Sequence, residues 1–143
     1  MKNKFKIIYI ILIFITTLYS GAFSEDQFNF DVTEVEITEK GNRIKGLKRG
    51  RITTDDGIIF DADEFDYDKL LNIFQAYGNV KILDTIENII IYSDKATYLK
   101  NNQEIFTQGR SKAINKDKGI SIDADNFRYN KISKILNATK NVE

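Results

Sequence analysis

The sequence predicts an all-β chain of about eight or more strands in a curved sheet, preceded by an export signal. Three observations predict it. The first is a repeat. Gly57-Ile58-Ile59-Phe60-Asp61-Ala62-Asp63-Glu64-Phe65-Asp66-Tyr67-Asp68-Lys69, then Gly78-Asn79-Val80, returns as Gly119-Ile120-Ser121-Ile122-Asp123-Ala124-Asp125-Asn126-Phe127-Arg128-Tyr129-Asn130-Lys131, then Asn141-Val142, at a constant offset of 62. A repeat held in register fixes the architecture before any single residue does. The second is a period of two in segments rich in Ile, Phe, Tyr and Val, residue types that suit a pleated, half-buried surface. The third is that no window after residue 24 has a 3.6-residue period.

Taken in order, residues 1–24 read as a signal peptide. Lys2, Lys4 and Lys6 form the positive start, Ile7 to Leu18 the apolar run, and Ser20-Gly21-Ala22 or Ala22-Phe23-Ser24 the small-residue cleavage pattern. The run is short for a membrane span, which takes about 20 residues, so cleavage is the expectation over an uncleaved anchor. Residues 25–143 then form one domain, with 25–29 as a loose lead-in. Strands are expected at 30–38, 43–54, 58–67, 72–82, 89–98, 104–114, 120–129 and 133–142. Between them, Lys40-Gly41-Asn42, Asp55-Asp56-Gly57, Lys100-Asn101-Asn102 and Asn115-Lys116-Asp117-Lys118-Gly119 hold residues that tolerate positive φ or make Asx turns. Leu70 to Phe74 is too short for a helix. The in–out alternation slips at Glu64-Phe65 and again at Asn126-Phe127, where an extra residue would make a β-bulge and bend the sheet. Tyr92 to Tyr98 and Phe30 to Ile37 follow the pattern more weakly, at about half the main offset.

Charge and chemistry exclude several classes. The chain has 21 basic and 21 acidic residues; without Lys2, Lys4 and Lys6 the domain keeps 18 against 21, a balance of −3. Nucleic-acid binding needs a cationic surplus, so no nucleic-acid partner is expected. With no Cys there is no disulfide, and with no His the commonest general base and metal ligand is missing. Asp61, Asp63, Asp66 and Asp68 do not fit a calcium loop: its sixth and twelfth places hold Asp66 and Asn72 where Gly and Glu are required. The second copy has Arg128 and Asn130 where the first has Asp66 and Asp68. The expectation is a solvated strand face and no metal. Nothing resembles a catalytic triad or a phosphate-binding loop, so neither an enzyme nor a cofactor is expected. Lys48-Arg49-Gly50-Arg51 is a small basic cluster, read as a solvated turn flank in preference to a site for anionic head groups.

The apolar positions carry the candidate site. Phe60, Ala62, Phe65, Tyr67, Ile73, Val80 and Ile82 in the first copy, with Ile122, Ala124, Phe127, Tyr129 and Ile135 in the second, are placed on the concave face of the bent sheet. They would form either an ordinary core or an open groove fit for acyl chains. Ala62 and Ala124 occupy equivalent places, where a small residue leaves room above the strand.

The pattern Ile59-Phe60-Asp61-Ala62-Asp63-Glu64-Phe65-Asp66-Tyr67-Asp68-Lys69, then Ala76-Tyr77-Gly78-Asn79-Val80-Lys81-Ile82, resembles the OstA-like domain of lipopolysaccharide transport. That domain makes up the periplasmic bridge LptA and the N-terminal part of the outer-membrane translocon LptD. The likeness covers residues 30–143, and Phe28-Asn29-Phe30-Asp31-Val32-Thr33 looks more like the start of the LptD domain. The resemblance implies a twisted, open β-jellyroll in the periplasm. It implies a groove that carries lipopolysaccharide acyl chains and strand addition to other jellyroll proteins and outer-membrane components. Against the longer LptD, the chain reads as a domain cut short at its C-terminus. The alternative is a structural module that docks other jellyrolls by strand addition and carries no lipid.

Overall fold

A computed structural model describes residues 28–143; the signal-peptide reading lies outside the described residues. Thirteen antiparallel strands form one hydrogen-bonded sheet: β1 (Phe28–Asp31), β2 (Val35–Thr38), β3 (Arg43–Gly46), β4 (Gly50–Thr54), β5 (Ile58–Ala62), β6 (Glu64–Asp68), β7 (Ile73–Asp84), β8 (Ile89–Leu99), β9 (Glu104–Gln108), β10 (Ser111–Asn115), β11 (Ile120–Ala124), β12 (Asn126–Asn130) and β13 (Ile135–Thr139). Five of the eight expected strands are broken in two by a corner, and only β7, β8 and β13 run on. The lead-in expected at 25–29 is corrected in part. Phe28 and Asn29 belong to β1, because Phe28 is buried and stacks on Phe74 with ring centroids 5.3 Å apart.

The sheet is bent along its corners into two wings. The first wing runs β1-β4-β5, the second half of β7, the first half of β8, β10, β11. The second runs β2-β3-β6, the first half of β7, the second half of β8, β9, β12, β13. The ladder does not close into a barrel. β1 and β2 stand at one end of the wings, β11 and β13 at the other.

The expected bend is real, and it falls one residue before the slip read at Glu64-Phe65. Asp63 stands alone between β5 and β6, while β7 spends two residues, Gly78 and Asn79, on the same corner. The amide of Asp63 donates to the carbonyls of both Tyr77 and Gly78, at 3.1 and 3.0 Å. Two residues opposite one is a bulge, and it bends the sheet. Gly78 and Asn79 both have positive φ, 70° and 46°. A Cβ on Gly78 would meet the Asp63 carboxylate at 2.7 Å, and one on Gly109 would meet that of Asp94 at 2.6 Å. The corner therefore recurs as Asp63, Asp94 and Asp125, a spacing of 31 residues. The turns recur at the same spacing, with positive φ at Gly41, Asn72, Gln103 and Lys134 in the second wing and at Gly57, Asn88 and Gly119 in the first.

The wings face each other across an apolar core. Phe60 on the first wing packs against Phe74 and Tyr98 on the second, with centroids 4.7 and 5.8 Å apart. The outer faces carry ion pairs. Arg43 grips Asp66 with two bonds of 2.8 Å, Arg51 grips Asp61 at 2.7 and 3.0 Å, and Arg49 reaches Asp63 at 2.7 Å. The acidic face is thus paired, and the basic cluster supplies part of the pairing. The Arg51 bond and, more weakly, its charge hold the Asp61 carboxyl below the usual range against burial.

Candidate functional site: the interior between the wings

The candidate residues divide into three groups. Phe60, Ala62, Phe65, Tyr67, Val80, Ile82, Ala124, Phe127 and Tyr129 all face inward and are buried in one cluster. Ile122 faces inward but is only partly buried. Ile73 and Ile135 lie on the outer face, which corrects their placement on the concave one. Ile73 pairs with outward Asp68, and Ile135 with outward Asn130; the inward phase belongs to their neighbours Phe74 and Leu136, opposite Tyr67 and Tyr129. The turn before each strand shifts the alternation by one. Sequence reasoning missed Phe28, Phe74, Tyr98, Ile91 and Ile105 as members of the interior. The 31-residue spacing could have found two of them: Tyr98 falls between Tyr67 and Tyr129, and Ile105 between Phe74 and Leu136.

Rings cluster most densely near β1, and Phe127 and Tyr129 are buried on β12. Phe28, Phe60, Phe65, Phe74 and Tyr98 fill the end near β1 and leave no exposed ring among them. At the β11–β13 end a cavity of about 160 Å³ opens, lined by the aliphatic side chains of Ile89, Ala113, Ile120, Ile122 and Leu136. Lys118 and Lys134 also line it.

Along the mouth, where the tips of the wings meet, polar groups bridge them. Asp56 sits in the first-wing turn after β4. Its carboxylate accepts bonds from Thr54 and from the Tyr98 hydroxyl, and lies 3.0 Å from the Lys100 ammonium on the second wing. Lys100 also pairs with Asp55, and Lys131 donates to the Asp56 carbonyl. The Lys100 and Lys131 side chains are each only 9% exposed. Burial pushes the Asp56 carboxyl up, but the bonds from Thr54, Tyr98 and Lys100 outweigh it and hold the group below its ordinary value. Burial, then the bond to Asp56, pushes the Tyr98 phenol well above its usual range. One repeat on, the Tyr129 hydroxyl donates to buried Asp84 at 2.8 Å and Lys134 meets Glu87 at 2.6 Å. Among the described residues no group of His, Cys, Asp and Glu could hold a metal ion, and no helix is long and apolar enough to cross a membrane.

An antiparallel sheet bent into a V, with an apolar interior open at one end, is an open β-jellyroll. The chain has the fold of LptH from Pseudomonas aeruginosa, described as the LptA-homologous periplasmic component of the conserved lipopolysaccharide transport device. The TM-score is 0.70 at 12% identity, over 79% of this chain and 82% of that one. The OstA-like fold that the resemblance implies is therefore present. No protein-family model matches the chain, and no curated protein matches it by sequence.

Proposed function

We propose that this chain is a non-enzymatic carrier of lipopolysaccharide in the periplasm, holding acyl chains between its wings and passing them toward the outer membrane. The fold likeness to LptH supports the class of protein. The observation that carries the reading is the aliphatic cavity at the β11–β13 end: apolar space reached from outside and continuous with the core. The carrying residues are Phe60, Ala62, Phe65, Tyr67, Val80 and Ile82 in the inner part, with Ile122, Ala124, Phe127 and Tyr129 nearer the open end. Ile73 and Ile135 take no part, since they face outward. The Phe28 to Thr33 segment favours the N-terminal domain of an LptD over the LptA bridge. Edge strands at both ends supply the means of docking other jellyroll proteins.

A photocrosslinking residue at Ile122 or Phe127 is expected to capture lipopolysaccharide, and one at outward Ile73 is not. Folded protein that gives no adduct at either inward position would remove the reading. The second reading, a docking module without lipid, is favoured by the exposure of Val35 and Ile37 on edge strand β2 and of Ile135 on β13. Concentration-dependent end-to-end oligomers in protein that yields no adducts would select it.

A further inference from the structure

We infer that the Asp56 turn is a releasable latch that holds the wings together at the mouth and must open for an alkyl chain to reach the aromatic part of the core. The role given to the alkyl chain rests on the carrier reading; the latch itself does not. Asp56 on the first wing gathers Tyr98, Lys100 and Lys131, which are 42, 44 and 75 residues away in the chain and all on the second wing. A mouth that stayed shut would be closed as well or better by apolar side chains, because buried charges give up hydration that their attraction barely restores. The same groups become useful if the mouth opens. Parted charges and hydroxyls are rehydrated, whereas parted apolar walls expose surface that water disfavours. The ties also thin out in one direction. Asp56 has three partners on the second wing, the next turn has the Tyr129–Asp84 and Lys134–Glu87 bridges, and the turn at 116–119 has no bridge to the second wing among the described residues. That last turn borders the cavity through Lys118. Parting therefore begins at the cavity, and the Asp56 latch is the last tie to release.

The absence of Cys allows a direct test. Paired spin labels on cysteines at Ile86 and Ile132, exposed positions on opposed turns, report the width of the mouth. Asp56→Asn is expected to raise the population at long separation about tenfold, as loss of a charge-assisted bond predicts. Tyr98→Phe, which keeps the ring and removes one hydroxyl, is expected to raise it about threefold. Uptake of a dansyl-labelled fatty acid should rise in the same order. A distance distribution in folded Tyr98→Phe identical to the parent's, whatever becomes of Asp56→Asn, would overturn the latch and leave a static staple. Widening without fatty-acid uptake would support the latch and remove the carrier reading.

Discussion

Ala62 and Ala124 hold equivalent places in the repeat, yet their surroundings differ. Ala62 is fully enclosed at 0% exposure, whereas Ala124 retains 6% and lies toward the cavity end. Ala62→Leu is expected to overpack the core and cost about 1–3 kcal/mol in urea unfolding. Ala124→Leu should cost less. Stability unchanged by Ala62→Leu, with lipid capture reduced, would mean that the interior is open at that point. Gly78 permits a second comparison. Its φ is +70° and the Asp63 carboxylate lies 2.7 Å from where a Cβ would stand, so Gly78→Ala combines backbone strain with a clash. Gly41→Ala meets nothing within 4 Å and suffers only the strain. Gly78→Ala is expected to lose about 1–3 kcal/mol, and Gly41→Ala visibly less. Asp56 gives a pH dependence. Its folded value lies below its unfolded one, so its contribution is complete above about pH 3.9 and is lost as pH falls through the folded value. Tyr98 is shifted up, so its contribution holds below about pH 10 and is lost as pH rises. Melting temperatures of the parent should fall at both extremes. Asp56→Asn should flatten the acid limb and Tyr98→Phe the alkaline one.

At the scale of elements, β7 and β8 are set apart. They cross the corner without ending, and each has partners on both sides in both wings. Their amides are expected to be the last to exchange with deuterium, approaching the global unfolding free energy, while edge strands β2 and β13 exchange at far lower cost. Equal protection across these four strands would contradict this order. The same strands show what could be read in advance. The strand rhythm, the turns at Gly57 and Gly119 and a bend near Glu64 were legible, because period two and glycine are local signals. The division of five strands at corners was not, since the corner at Asp94 and Gly109 lacks the Asn-Val wording of the strong copies and is revealed only through their contact. The wrong face for Ile73 and Ile135 has a similar cause. Alternation was carried through a turn that shifts it, and only cross-strand register sets the phase anew. The mouth was invisible, because Asp56, Lys100 and Lys131 read as ordinary turn residues until folding brings them together.

For the whole molecule, the arithmetic of the corner is unforgiving. Val80, Ile82 and Asp84 face inward because Gly78 and Asn79 together keep the phase set by Phe74 and Ala76. Deleting Asn79 would turn Lys81 and Leu83 inward instead and abolish cooperative unfolding, as circular dichroism melts should reveal. Adding or removing whole repeats is another matter. Along the sheet each strand pairs only with its neighbours, much as in a solenoid, although the Asp56 turn also reaches Lys131 across the mouth. A block of 31 residues spliced between equivalent corners would lengthen both wings by two strands and leave the strand pairings on either side of it as they were. A block of half that size would lengthen the two wings unequally and exchange the partners at every later corner. Descendants of such a chain can therefore vary in reach only in fixed increments, and the distance that a sheet of this kind spans is a quantity counted in repeats.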